Sequence, residues 1–265
     1  MSQSGAPAPI IGGAIHLSLQ GKGGVGKSLV ASLLAQYFMC RGHGVRCLDT
    51  DPVNQTLSQY KGLQVEHVKL LRDGGIDQRG FDALMETILT ETGTFVVDNG
   101  ASTFIPLWNY ILENNVIGML RDSGKKLYVH TVVTGGQALA DTLKGFKSLA
   151  ESTEDRIIIV WVNEYFGRVE RDGKEFGDMT VYRENEQKVY GSIAIPRRNP
   201  DTFGRDIEEV IVHGPGFDLG RRTASFRLET GITRFLKNLR TFARARSAIR
   251  EFAGNRSRHY GTANP

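Results

Sequence analysis

The stretch Gly21-Lys22-Gly23-Gly24-Val25-Gly26-Lys27-Ser28 constrains this chain more than any other. It satisfies G-x-x-x-x-G-K-[ST], in which small residues let successive backbone N–H groups close around phosphate oxygens. In that pattern Lys27 supplies a point charge to the β- and γ-phosphates of a nucleotide. Ser28 offers a hydroxyl to Mg²⁺ and opens a helix whose N-terminal dipole favours the same anion. The pattern needs a strand before it and a helix after it. Ala14 to Leu19 is a short apolar run that reads as a buried strand, and Leu29 to Arg41 is apolar at helical spacing up to Gly42. The expected nucleotide contacts therefore run from Gly21 through Ser28 to Leu29. A glycine-rich turn without a ligand would leave the Lys27-Ser28 pair without a purpose.

The remaining chain alternates strand and helix signals. Strands are expected at Val45–Asp49, Thr94–Asp98, Leu127–Val133, Ile157–Asn163 and Ser192–Ile195, and helices at Phe81–Thr90, Trp108–Arg121 and Gln137–Glu151. Near-continuous apolar strands in such an alternation imply an α/β fold, a mostly parallel twisted sheet with helices on both faces. Right-handed crossovers then gather the strand C-termini, and any ligand, along one edge. Residues 52–80 read as polar and irregular, with Asp73-Gly74-Gly75 as a turn. Residues 164–190 interrupt the alternation as an insertion, and Asp172-Gly173 marks a hairpin turn within it.

Lys22 follows the first glycine of the loop, where it reaches its own nucleotide less easily than Lys27 does. Written KGGVGKS, the loop resembles the deviant Walker A motif of the ParA/MinD ATPases. That resemblance implies ATP and Mg²⁺ as cofactors and a P-loop NTPase domain of the ParA/MinD type. It also implies an ATP-dependent homodimer in which Lys22 crosses the interface to the other subunit's phosphates. The alternative for Lys22 is a solvated loop lysine, which the complete KGGVGKS disfavours.

Three acids stand at expected strand ends: Asp49 and Asp51 after the second strand, and Asp98 closing the third. Carboxylates there suit a Mg²⁺ shell, although singly each is also a normal turn or helix-capping acid. By the ParA/MinD resemblance, Asp51 orients the attacking water, Asp49 supports the Mg²⁺ shell and Asp98 holds Mg²⁺ through water. With Ser28, these acids form the expected metal set. With Lys22 and Lys27, Asp51 completes the expected catalytic set. The family's third strand commonly ends D-x-P-P, whereas this chain has Asp98-Asn99-Gly100-Ala101-Ser102. That departure puts the hydrolysis rate in question more than binding. Asn163 and Pro196 stand where the family contacts and covers adenine, followed by Arg197-Arg198. No N-K-x-D tetrapeptide for guanine is present.

Four segments, LQGKGGVGKS, CLDTDPVNQT, VVDNGAS and HTVVTGGQALADT, together resemble TraL-type proteins of conjugative plasmids over roughly residues 14–210. The resemblance implies cytoplasmic ATP binding in support of plasmid DNA transfer, with a protein of the transfer machinery as partner.

Composition and the chain's ends add three expectations. Cys40 and Cys47 make no disulfide framework and suit a reducing cytoplasm. Residues 1–12 read as a flexible leader without signal-peptide features, which leaves 13–220 as the ATPase domain. Residues 221–265 carry eleven Lys/Arg against two acids, while the remainder has 22 basic and 27 acidic residues. Ile232, Phe235, Leu236, Leu239 and Phe242 recur there at helical spacing, giving a basic amphipathic helix. Non-specific DNA, an anionic membrane surface, an acidic protein or the sheet itself could each take such a helix. Other functions remain compatible with the loop: a ParA-type partition ATPase, a small-molecule P-loop kinase and a binding-only ATP module.

Overall fold

The computed structural model describes residues 13–40, 42–72 and 75–197. The expected leader and the basic helix lie outside the described residues. The strands are β1 (Ile15–Ser18), β2 (Val45–Asp49), β3 (Glu66–His67), β4 (Leu71–Arg72), β5 (Gly75–Ile76), β6 (Thr94–Asp98), β7 (Leu127–Thr134), β8 (Ile158–Asn163), β9 (Glu170–Arg171), β10 (Lys174–Glu175) and β11 (Val189–Ile195). The helices are α1 (Lys27–Cys40), α2 (Gln78–Thr90), α3 (Phe104–Glu113), α4 (Val116–Asp122), α5 (Leu139–Glu151) and α6 (Thr180–Arg183).

Seven strands form one sheet in the order β11-β8-β7-β1-β6-β2-β3, and every pairing in it is parallel. From the central β1 the chain runs outward to β2 and β3, returns through β6, and continues outward on the other side through β7, β8 and β11. The C-terminal ends of β1, β6, β7 and β8 therefore meet around the loop that follows β1.

Alternation along each strand feeds two cores. Ile15, Leu17, Phe95, Val97, Val129 and Val133 face α2 to α5, whereas Ala14, Val96, Tyr128, Val132 and Trp161 face α1. Both faces are covered, which is why the strands read as nearly unbroken apolar runs. The expected helix over Trp108–Arg121 is instead two helices, because Asn115 takes a left-handed conformation (φ 48°) between α3 and α4. The 164–190 segment does contain the expected hairpin, β9–β10, turned by Asp172 (φ 52°) and Gly173 (φ 71°). It is more than an excursion from the domain, since Val169, Phe176, Met179 and Tyr182 are buried in the α5 core. The segment is the crossover from β8 to β11.

The α1 face carries a polar chain within its apolar packing. Trp161 Nε1 donates to His130 Nδ1 (2.9 Å), and His130 Nε2 lies 3.0 Å from His16 Nδ1. Indole is only a donor, so His130 must carry its proton on Nε2 and donate it onward. His16 then bears its proton on Nε2, which is buried and finds no partner among the described residues. One tryptophan thus sets both tautomers. Burial pushes the His16 imidazole down to about 3, and burial with the neighbouring His16 pushes His130 well below its ordinary value. Neutral imidazoles stabilise the fold fully above the unfolded-state value near 6.5. That stability is lost as pH falls from there toward the folded values.

Comparison of the chain with a His16→Leu/His130→Leu variant isolates this effect, because every other titrating group is common to both. Urea unfolding at pH 7.5 and 5 should show the parent losing stability relative to the variant by about 1.4 kcal/mol per imidazole for each pH unit below 6.5. A difference that does not change with pH would show that the two histidines are not neutral in the fold.

Candidate functional site

The loop between β1 and α1 is shaped by its glycines and pinned by its neighbours. Gly24 (φ 72°) and Gly26 (φ 104°) adopt conformations that favour glycine. A Cβ built on Gly23 or Gly24 would meet nothing within 4 Å, so the loop's mouth is open. Val25 is buried against the α1 core. Its carbonyl accepts a hydrogen bond from Asn163 Nδ2 (3.0 Å) at the end of β8, and Asn163 Oδ1 accepts from the Tyr165 amide (3.1 Å). The asparagine expected at the base thus anchors the phosphate loop. Its register partner is Ile195, which brings Pro196 alongside. Arg197 is exposed, and Arg198 lies outside the described residues. Tyr165 and Phe166, in edge-to-face contact, stand exposed on the loop after Asn163.

Lys27 is the first residue of α1 and only 8% exposed. Its ammonium turns back into the loop and donates to the Lys22 carbonyl (3.0 Å). Burial lowers its pKa, while the charges of Asp98 and Asp51 oppose that fall. Lys22 points outward and pairs with Asp141 (2.7 Å) in the first turn of α5. Hydrogen bonding to Lys22 holds the Asp141 carboxyl below its usual range. Both side chains are about half exposed, so the pair is screened and easily exchanged.

The three acids do different work. Asp98 is buried, hydrogen-bonded to Ser28, and its Oδ1 has no partner among the described residues. Burial drives its pKa up to about 7, with Asp49 and Asp51 adding to the rise and Ser28 and Lys27 opposing it. Asp51 Oδ1 accepts from the amides of Val53 (2.9 Å) and Asn54 (3.0 Å). Asp49 is spent on the same loop: Oδ1 accepts from the Asp51 amide (3.0 Å), and Oδ2 from the Ser58 amide and hydroxyl (both 3.3 Å). Of the three, Asp98 and Asp51 are the charges that act on Lys27.

Several residues that shape the site lie outside the phosphate-loop pattern and the three acids. Gln20 is buried before the loop, and its Nε2 reaches Val132 O (2.9 Å), Thr142 O (3.2 Å) and Thr131 Oγ1 (3.3 Å), tying the loop's entrance to β7 and α5. Gly135 and Gly136 let the backbone of residues 166–168 pass against the end of β7: a Cβ on Gly135 would lie 2.3 Å from the Gly167 carbonyl oxygen. Asn99 Oδ1 accepts from Thr50 Oγ1 (2.9 Å) and Thr103 Oγ1 (2.7 Å). Gly100 sits on the Asp51 carboxylate, where a Cβ would come within 2.7 Å of Oδ1. A proline at position 100, as in a D-x-P-P ending, would bring its Cβ against the same carboxylate. The sequence signal of these residues is membership of the segments LQGKGGVGKS, CLDTDPVNQT, VVDNGAS and HTVVTGGQALADT, which marks them as shared without saying what each side chain does.

The residues suit a phosphate group and a hard cation. An open glycine cradle faces a buried ammonium, and an unpartnered carboxylate oxygen lies beside a serine hydroxyl. Among the described residues no group of three or more His, Cys, Asp or Glu side chains is set to hold a metal.

The steric contrast within the site is testable on the unliganded protein. Gly100→Ala should cost about 1–3 kcal/mol of stability through overlap with Asp51. Gly23→Ala should cost less than about 0.5 kcal/mol. Equal costs in urea unfolding would contradict the contact.

Comparison with known proteins agrees with this geometry. Residues 18–207 match the CobQ/CobB/MinD/ParA nucleotide binding domain. A protein TraL of Escherichia coli is 45% identical over 205 residues, covering 77% of this chain and 85% of its own. A second TraL from the same organism is 42% identical over 217 residues, covering 82% and 90%. The crystal structure of a ParA family ATPase from Chlorobium tepidum superposes with a TM-score of 0.52 at 14% identity, over 84% of this chain and 98% of that one, a likeness of fold. The chain is a TraL-like member of the CobQ/CobB/MinD/ParA nucleotide-binding family.

Proposed function

We propose that the chain is a Mg²⁺-dependent ATPase that dimerises around ATP and supports conjugative transfer of plasmid DNA from the cytoplasm. The observation that carries the enzymatic part is the buried Lys27 ammonium between the loop carbonyl of Lys22 and the charges of Asp98 and Asp51. Backbone N–H groups from Gly23 to Ser28 would donate to the β- and γ-phosphate oxygens, and those oxygens would replace the Lys22 carbonyl as acceptors for the Lys27 ammonium. Ser28 would offer its hydroxyl to Mg²⁺, and Asp98 would hold it through water. Bound Mg²⁺ neutralises charge developing on the transferred phosphoryl group. Asp51 would orient the attacking water, and Asp49 would keep the Asp51 loop in place. Lys22 would leave Asp141 and cross to the other subunit's phosphates. The transfer role and a partner in the transfer machinery rest on the likeness to TraL. DNA contact through residues 221–265 is a further proposal, resting on their charge.

A binding-only role is the second reading. Asp51 favours it, since its Oδ1 is already engaged by two backbone amides. Among the described residues no helix is long and apolar enough to cross a membrane.

Calorimetry and phosphate release separate the two readings. Lys27→Ala should weaken Mg-ATP binding roughly 10- to 100-fold, as expected for loss of a charged hydrogen-bonding group. Asp51→Ala should leave binding within a few-fold and slow turnover by about 100-fold. ATP binding with no turnover by the unmutated chain, with or without DNA, would favour the binding-only role. Unchanged binding by Lys27→Ala would refute both.

A further inference from the structure

We propose that Asn99 is a positioning residue that joins the two acid-bearing segments of the site and links them to α3. This rests on the reading of the site as one for Mg-ATP. Asn99 is 1% exposed, and Thr50 and Thr103 are fully buried. Its Oδ1 takes both threonine hydroxyls, one from each side, while its Nδ2 donates to the Gly100 carbonyl (3.0 Å).

The link lies next in sequence to the carboxylates of all three acids. Thr50 is bonded covalently to Asp49 and Asp51, and Asn99 to Asp98. The Thr50 amide donates to the Asp98 carbonyl (2.9 Å). Gly100 packs on the Asp51 carboxylate. The Asp51 and Asp98 segments thus already touch through backbone and Gly100 contacts, and the Asn99 amide adds the side-chain bonds that tie Thr50 to Thr103 and α3.

Proton counting sharpens the point. Thr50 Oγ1 has one proton and two acceptors in reach, Asn99 Oδ1 and Asp98 O, both at 2.9 Å. Thr103 Oγ1 has one proton for Asn99 Oδ1 (2.7 Å) and Gly100 O (3.2 Å). Two hydroxyl protons thus serve four acceptor contacts, so the link can change its hydrogen-bond pattern while its heavy atoms stay in place. Thr103 also occupies the residue before α3, where a threonine hydroxyl ordinarily caps the helix. It makes no side-chain cap bond there and reaches back to Asn99. The helix start is thereby tied to the site.

The test measures the ratio of ATP dissociation constants in EDTA and in Mg²⁺ for the full chain. Thr103→Val is nearly isosteric and cuts only the α3 side of the link, and Asn99→Ala removes its centre. Both should shrink the gain from Mg²⁺ by roughly 10- to 100-fold, the usual effect of losing a residue that supports a metal's ligands. Thr103→Ser, which keeps the hydroxyl, should restore it. Thermal melting checks that each variant is folded. Folded Thr103→Val that keeps the full Mg²⁺ gain, or Thr103→Ser that loses as much as Thr103→Val, overturns the proposal. An unmutated chain that binds no ATP in either buffer removes the reading of the site itself, a failure visible before any substitution is made.

Discussion

A lysine ammonium cannot be taken out of water without compensation, and the burial of Lys27 at the start of α1 is the condition around which this fold is arranged. Compensation arrives from three strand ends. The loop after β1 supplies the Lys22 carbonyl, the end of β6 supplies Asp98, and the segment after β2 supplies Asp51. The parallel sheet, with β1 beside β6 and β6 beside β2, brings those ends together. The fourth neighbour, β8, contributes Asn163, which fixes the loop's backbone through Val25.

Desolvation works on both signs of charge in this site. It lowers the pKa of Lys27 and raises that of Asp98 to about 7. Their mutual attraction recovers part of the loss for each. A phosphate on the lysine side and a cation on the carboxylate side would relieve both groups at once. The charges of the site would therefore favour an anion and a cation bound together.

Much of the architecture is legible in the chain. β2 and β6 are apolar runs that end in an acid and keep their expected bounds, and Asp172-Gly173 forms the hairpin turn its residues demand. What escaped has physical reasons. β3 is two residues long with exposed polar side chains, so it has no period to detect. Asn115 breaks a helical pattern through one backbone angle that the apolar spacing does not record. The buried residues of the β8–β11 crossover lie scattered among charges. In the site, the phosphate loop and the places of the acids were readable from spacing. The separate tasks of Asp49 and Asp98 were not, because they depend on which oxygens already have partners. Asn163 shows the same limit, since a strand-end asparagine can face a ligand or its own loop.

The central claim is that the loop is half of a nucleotide-controlled interface, with Lys22 released from Asp141 to complete a second subunit's site. Sedimentation of the chain and of Lys22→Ala with no nucleotide, ADP and ATP tests it most directly. The expected result is a dimer for the parent chain in ATP alone, and a monomer for Lys22→Ala under every condition. A Lys22→Ala protein that dimerises with ATP as the parent does, or a parent whose mass ignores the nucleotide, would contradict it.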